Sequence, residues 1–329
     1  MFQFNFMILQ SVQKKLTALV IALIMLNGPF FCFAQKKDTG LIDKLLALTP
    51  KHSWVLKDSI PLKFNAGHTQ GMVKIGAFYY MSSVEVSEWP KSYKVPQGKY
   101  DRSTGRGRGH LFKFDEKGNL LKDVIVGEGD IYHPGGIDFD GKYIWISVAE
   151  YRPNSMSIVY RLDPQRMELT EVLRYPEHIG AVIHNTDDHS LVGASWGARR
   201  FYKWRLNSVG KVINGDVAPE KLGVENPSFY VDFQDCKYLG NNLMLGSGMQ
   251  TFKRDTVAFK IGGWEIFDLT DFRAKRQIPI NIWSHTGASM LNNPAAVEST
   301  NEGIRAYFVP DDDVQAVLYV YDAIIPNNK

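Results

Sequence analysis

Residues 128–150 read EGDIYHPGGIDFDGKYIWISVAE. They hold a His-Pro-Gly-Gly turn, a short strand Ile137–Phe139, a tight Asp140-Gly141 turn and an alternating strand Tyr143–Val148. A turn followed by period-two alternation marks a β-hairpin buried on one face. The pattern recurs along the chain: His68 opens His-Thr-Gln-Gly, His133 opens His-Pro-Gly-Gly-Ile, His178 opens His-Ile-Gly-Ala-Val, and Asn293 opens Asn-Pro-Ala-Ala-Val.

Aligning these starts gives groups of four short strands. The first spans 70–75, 77–84, 110–115 and 120–126, with an insertion from Glu85 to Gly109. The second spans 135–139, 143–149, 157–162 and 169–174. The third spans 180–185, 190–195, 200–206 and a looser edge near 211–223, and the fourth spans 230–235, 242–248, 262–269 and 276–283. Only three strands follow Asn293, near 295–299, 304–309 and 316–322, so Trp54–Phe64 is expected to supply the fourth. Pairing the first strand with the last group removes an open sheet edge. The expectation is an all-β chain, a five-bladed β-propeller over 54–329, with six blades as the alternative if the insertion or 211–228 hides strands.

What precedes the repeats reads differently. Lys14 and Lys15, an uncharged run from Leu16 to Phe33 and then Ala34 describe a signal peptide over 1–34, and hence a secreted or periplasmic protein. Residues 35–53 read as a polar tail and a short helix stopped by Pro50. Removing 34 of 329 residues leaves 295 and takes away two lysines, so the formal charge falls from +3 to +1. That balance argues against binding nucleic acid by bulk charge, and no membrane insertion is expected once the signal is gone. One cysteine, Cys236, remains in that stretch, so no internal disulfide is expected and an apolar core must hold the fold.

The long, polar, aromatic loops all fall on the side where the first strands begin, which places a ligand site at one mouth of the ring. His68, His133 and His178 come from separate repeats and converge there; neutral imidazoles so placed can hold a divalent metal or act as acid and base. Gln70, two residues after His68, shares its side of the strand. Glu150 beside a histidine makes an acid/base pair. These five, His68, Gln70, His133, His178 and Glu150, are the candidate catalytic residues, with the three histidines as candidate metal ligands. Trp196, Arg200, Tyr151, Arg152, Asn293 and His285 are candidate ligand-binding residues, because Arg with Trp and Tyr suits carboxylates, phosphates and sugars.

Several motif matches carry less. Gly193-Ala194-Ser195-Trp196-Gly197 fits the nucleophile-elbow pattern, but a strand, not a helix, is expected after it. Gly105-Arg106-Gly107-Arg108-Gly109 lacks a strand–helix unit around it and reads as a flexible insertion tip. Asp311-Asp312-Asp313 reads as an acidic turn, with calcium as the rival.

The stretch Gly67-His68-Thr69-Gln70-Gly71-Met72 resembles the Phe-Thr-Gln-Gly-Leu start of plant-type glutaminyl cyclases (glutamine cyclotransferases). The resemblance implies a five-bladed propeller that cyclises N-terminal glutamine, with the motif glutamine at Gln70. Where that family next carries Phe-Gly-Glu-Gly, this sequence has His133-Pro134-Gly135-Gly136. Taken over most of its length, the set His-Thr-Gln-Gly, His-Pro-Gly-Gly-Ile-Asp and Trp-Gly-Ala-Arg-Arg looks more like a family of exported bacterial propellers of unassigned function. The expectation is an exported propeller binding a small polar or anionic ligand at a histidine-lined mouth. Its chemistry would be that of a metal-assisted or acid/base hydrolase, lyase or cyclotransferase. The alternatives are a non-catalytic glycan- or peptide-binding module and a protein-interaction scaffold.

Overall fold

The computed structural model describes residues 39–325. The expected signal segment, 1–34, lies outside the described residues. Among those described, 22 strands and two short α-helices account for the regular structure, and the chain is all-β and propeller-like.

Four strands at a time, the chain folds back on itself. The order β2(His68–Ile75)–β3(Phe78–Glu88)–β6(Arg106–Asp115)–β7(Leu120–Val126) forms one sheet. The run β8(Ile131–Phe139), β9(Ile144–Glu150), β10(Ser157–Asp163), β11(Glu168–Tyr175) follows the same pattern. So does β12(Ile179–Asn185), β13(Ser190–Ser195), β14(Arg200–Arg205), β15(Val224–Glu225). A single parallel bridge between Gly136 and Ala181 joins these two runs into one eight-stranded sheet. Then come β16(Asp232–Gly240), β17(Leu243–Arg254), β18(Val257–Asp268) and β19(Arg273–Pro279). The last sheet is β20(Ala295–Thr300), β21(Gly303–Phe308), β22(Val317–Ile324) and, as its fourth member, β1(Trp54–Pro61). β1 runs antiparallel to β22 from Trp54 opposite Ala323 to Pro61 opposite Val317, as expected from the missing strand.

The apolar cores lie between successive groups. Val73 and Leu111 meet Ile137 and Ile146; Trp145 and Val159 meet Val182 and Trp204; Ile183 and Phe201 meet Phe233 and Phe267. Trp264 and Ile266 meet Ile304 and Phe308, and Tyr307 and Leu318 return to Tyr79 and Phe114 of the first group. The last group therefore packs on the first. Helix α1(Thr39–Ala47) joins the core under the last two groups through Ile42 and Leu45, and Lys44 donates to the Ser299 hydroxyl at 2.8 Å. Buried Cys236 is a free thiol.

Two local expectations need correcting. The edge of the third group is not 211–223 but the two-residue β15; Pro219–Leu222 is helical (α2), because Pro219 is well placed in a first helical turn. Nor is the glycine-rich stretch a loose tip. It begins β6, and a Cβ at Gly107 would stand 2.6 Å from the Tyr132 ring, so the glycines let this strand lie flat on Tyr132. The rest of the insertion forms a small two-stranded ladder, β4(Ser92–Gln97) and β5(Tyr100–Arg102).

The centre is packed backbone to backbone rather than open. A Cβ at Gly135 would fall 1.8 Å from the Gly180 carbonyl oxygen. Beside it the buried Asp235 carboxylate accepts from the Met72, Ile137 and Cys236 amides at 3.0, 3.1 and 2.9 Å. One side chain thus ties β2 and β8 to β16. The ends of the ring are separated by this plug.

Candidate functional site

Each repeat begins at the same end, and that end carries the histidines. His68 opens β2, His133 sits in β8 opposite Ala149 next to a register shift, and His178 precedes β12. The rings of His68 and His133 lie 6.3 Å apart. Tyr151, just past β9, stacks on His133 with centroids 3.9 Å apart. Trp89 and Trp196 flank Tyr151 at 6.1 and 6.0 Å, and Trp196 meets the His178 ring edge-on at 4.8 Å. The Arg102 guanidinium lies over Trp196 at 5.2 Å. Three histidines and three large aromatics form one continuous wall.

The histidines differ in chemistry. The Asp312 carboxylate lies 2.9 Å from His68 Nδ1; a carboxylate only accepts, so Nδ1 is the donor and Nε2 is the ring nitrogen left for a ligand. Asn293 holds the other Asp312 oxygen at 2.7 Å through its amide nitrogen. His178 Nδ1 donates to the Glu150 carbonyl at 3.0 Å, and burial lowers its pKa to about 4. His133 is pushed well below its ordinary range, first by burial and then by His68 and His178. Its Nε2 is buried without a hydrogen-bond partner, and so is Asn293 Oδ1. Burial raises the Tyr151 pKa, with Asp312 adding to the shift and Arg102 opposing it.

Among the described residues no three or more His, Cys, Asp or Glu side chains are grouped to hold a metal ion. His68 and His178 each give Nδ1 to a protein acceptor, and Tyr151 stacks on the His133 ring.

A family description matches residues 24–327. The chain belongs to the family of unknown function DUF6454. No curated protein matches it. Among solved structures, the hydrazine synthase of Kuenenia stuttgartiensis is similar, with a TM-score of 0.37 and 11% identity. The match covers 78% of this chain, which spans 59% of that one. The glutaminyl cyclase resemblance rests on the six residues Gly67–Met72 around Gln70.

In this DUF6454 chain the other expected site residues are distributed as follows. Gln70 is buried and donates to the Thr69 carbonyl at 3.0 Å. The Glu150 carboxylate pairs with Arg152, 2.6 Å from its Nε, and Arg152 lies over the Tyr100 ring at 3.5 Å. Arg200 is exposed on β14 and bonds Tyr202; its neighbour Arg199 is half-buried, 3.0 Å from Asp232. His285 is exposed and bonds the Tyr319 hydroxyl. Ser195 accepts from the Arg200 amide at 2.9 Å, and a three-residue 3₁₀ turn followed by β14 replaces the helix an elbow needs. The acidic turn splits its duties: Asp311 bonds Ser284 and Thr286, and Asp312 bonds His68 and Asn293.

Sequence reasoning missed Asp312, Trp89 and Arg102. Asp312 is 244 positions from His68, and nothing in its own neighbourhood marks a partner so distant. Trp89 and Arg102 belong to the insertion, outside the repeat that located the others. Their aromatic and cationic character, in a long insertion on the loop-rich side, was the available signal.

Proposed function

We propose that the chain is an exported five-bladed β-propeller whose histidine mouth binds a small polar ring and acts on it by acid/base chemistry. Five groups of four strands, five apolar cores between successive groups and closure of β22 by β1 support the blade count. The basic start and uncharged run of residues 1–34 support export.

The observation that carries the functional reading is the coincidence of three things at one place. His68 is oriented by Asp312 as a base would be. Next to it two buried polar atoms, His133 Nε2 and Asn293 Oδ1, lack partners that a ligand can supply. Over both stands the wall of Trp89, Tyr151 and Trp196, of which Trp89 is 59% exposed. Flat aromatic faces favour ligands with an apolar ring face and polar edges, such as sugars. His68 Nε2 takes a proton from the bound ring, and the Asp312 carboxylate stabilises the imidazolium that forms.

A non-catalytic glycan-binding module is the second reading, favoured by the Tyr151 ring lying directly on His133. One experiment separates the two. Purified protein is incubated with a panel of oligosaccharides, uronates and peptides, and products are followed by mass spectrometry alongside binding by calorimetry. Acid/base action predicts turnover that falls by about 10²–10⁴-fold in His68→Gln and Asp312→Asn, and a raised KM in Trp196→Ala. Binding that depends on Trp196 without turnover makes it a binding module. Binding or turnover indifferent to both His68→Gln and Trp196→Ala would sink the mouth as the site.

A further inference from the structure

The innermost strands have a second end, and it too encloses a space. Lys74 lies six residues beyond His68 in β2, and Asp138 five beyond His133 in β8. At about 3.3 Å per residue that is roughly 17–20 Å along the strands, on the far side of the glycine and Asp235 plug. There a cavity of about 180 Å³ is lined from β2, β8, β16 and β20, with Leu41 of α1 at its edge.

Its polar groups are unevenly satisfied. Lys237 is fully engaged: Asp235 Oδ1 at 2.5 Å, the Ile137 carbonyl at 2.7 Å and the Cys236 carbonyl at 3.3 Å. Lys74 is paired with Glu298 at 3.7 Å and lies over the Tyr307 ring. Asp140 is bound by His184 at 2.7 Å and by the Trp145 indole at 2.7 Å. Asp138 is the exception. It lines the cavity, is 3% exposed, and its Oδ2 has no hydrogen-bond partner. A buried acceptor in that condition costs free energy until a donor reaches it.

We infer that this cavity is a binding site for a small aliphatic amine, whose ammonium group donates to Asp138 while its chain lies on Leu41, Val73 and Leu239. An ammonium offers three donors and no acceptor, which suits a lone carboxylate oxygen. The acids lining the cavity, Asp138, Asp140 and Glu298, outnumber its lysines, Lys74 and Lys237. The volume equals about six waters at roughly 30 Å³ each, enough for a four- to six-atom chain. Burial holds the Asp138 carboxyl up at about 7, opposed by Lys237 and by hydrogen bonds from the Tyr238 and Phe139 amides, so a bound ammonium at the free oxygen would also settle it in the ionised form.

The test uses the full chain and n-butylamine, with n-butanol and butyrate as neutral and anionic counterparts of the same size, titrated by calorimetry and ligand-observed NMR at pH 7.5. The amine should bind saturably and about ten-fold or more tighter than butanol, with no binding of butyrate. Asp138→Asn should weaken the amine by about ten-fold or more, and Leu41→Trp, which fills the edge, should abolish it. Circular dichroism melts show which variants are folded; if Asp138→Asn is not, Leu41→Trp decides. Absence of saturable amine binding, equal binding of butyrate, or an affinity untouched by the folded variants overturns the inference.

Discussion

His178 is kept uncharged by its surroundings, and that has a consequence for stability. Its folded pKa of about 4 lies below the ordinary 6.5, so on acidification the unfolded chain takes up this proton first. Stability from this residue is complete above pH 6.5 and is lost as pH falls from 6.5 towards 4. The shift corresponds to about 3 kcal/mol, and His133 acts in the same direction. Asp138 and Asp235 work the opposite way. Burial raises them to about 7 and about 6, so their contribution is present at low pH and lost as pH rises through those values. Urea unfolding of wild type and His178→Asn at pH 7, 5.5 and 4 isolates the histidine: wild type should lose about 3 kcal/mol more than the variant. Parallel pH profiles would mean that His178 titrates freely in the folded chain. At this scale the sequence was only partly legible. The histidines announced themselves by recurring at one place in each repeat, whereas the Asp312 that orients His68 is invisible to any local pattern. Arg200 and Glu150 were chosen by type, which records neither the exposure of the first nor the pairing of the second with Arg152.

Among the elements, the insertion between β3 and β6 does more than its composition suggested. Tyr132 donates to the Thr104 carbonyl at 2.6 Å, and Gly105 and Gly107 lie against its ring and hydroxyl. This seat fixes the segment that delivers Trp89 and Arg102 to the mouth. Gly107→Val places a side chain where the Tyr132 ring already is, which costs about 1–3 kcal/mol of local stability. Limited proteolysis should then cut within 91–103, and ligand affinity at the mouth should fall while the far-ultraviolet spectrum is unchanged. A variant as protease-resistant as wild type would show that the seat is not what holds the insertion. Strands with one buried face were readable from alternation and from Asp-Gly turns such as Asp140-Gly141, whose carboxylate accepts from the Lys142 and Tyr143 amides at 2.8 and 2.7 Å. The outer part of the β17–β18 hairpin was not. Residues 251–259 are exposed on both faces, so no buried side imposed a period, and they fell between the expected strands 242–248 and 262–269.

For the whole molecule, the group of three strands after Asn293 was the most informative feature of the sequence, because it demanded a fourth strand from elsewhere. The structure supplies it with β1. Removing residues 317–329 takes away β22, which stands between β1 and β21, and with it Leu318 and Val320 of the core shared with the first group. Such a chain should fail to fold cooperatively, seen as loss of a sigmoidal thermal transition; a retained transition near the wild-type midpoint would show the remaining sheets to be independently stable. What the sequence did not reveal was the closed centre. Close approach of Gly135 to Gly180 and the grip of Asp235 on two neighbouring strands depend on how the repeats are angled, which strand periodicity does not record.

The clasp of β1 on β22 also sets an order of events. A ribosome makes Trp54–Pro61 more than 250 residues before its partner Val317–Ile324 exists, so the earliest strand of the ring is the last to find its place. Until then its hydrogen-bonding edge stays open to other chains. A chain released before β22 is made exposes that edge permanently.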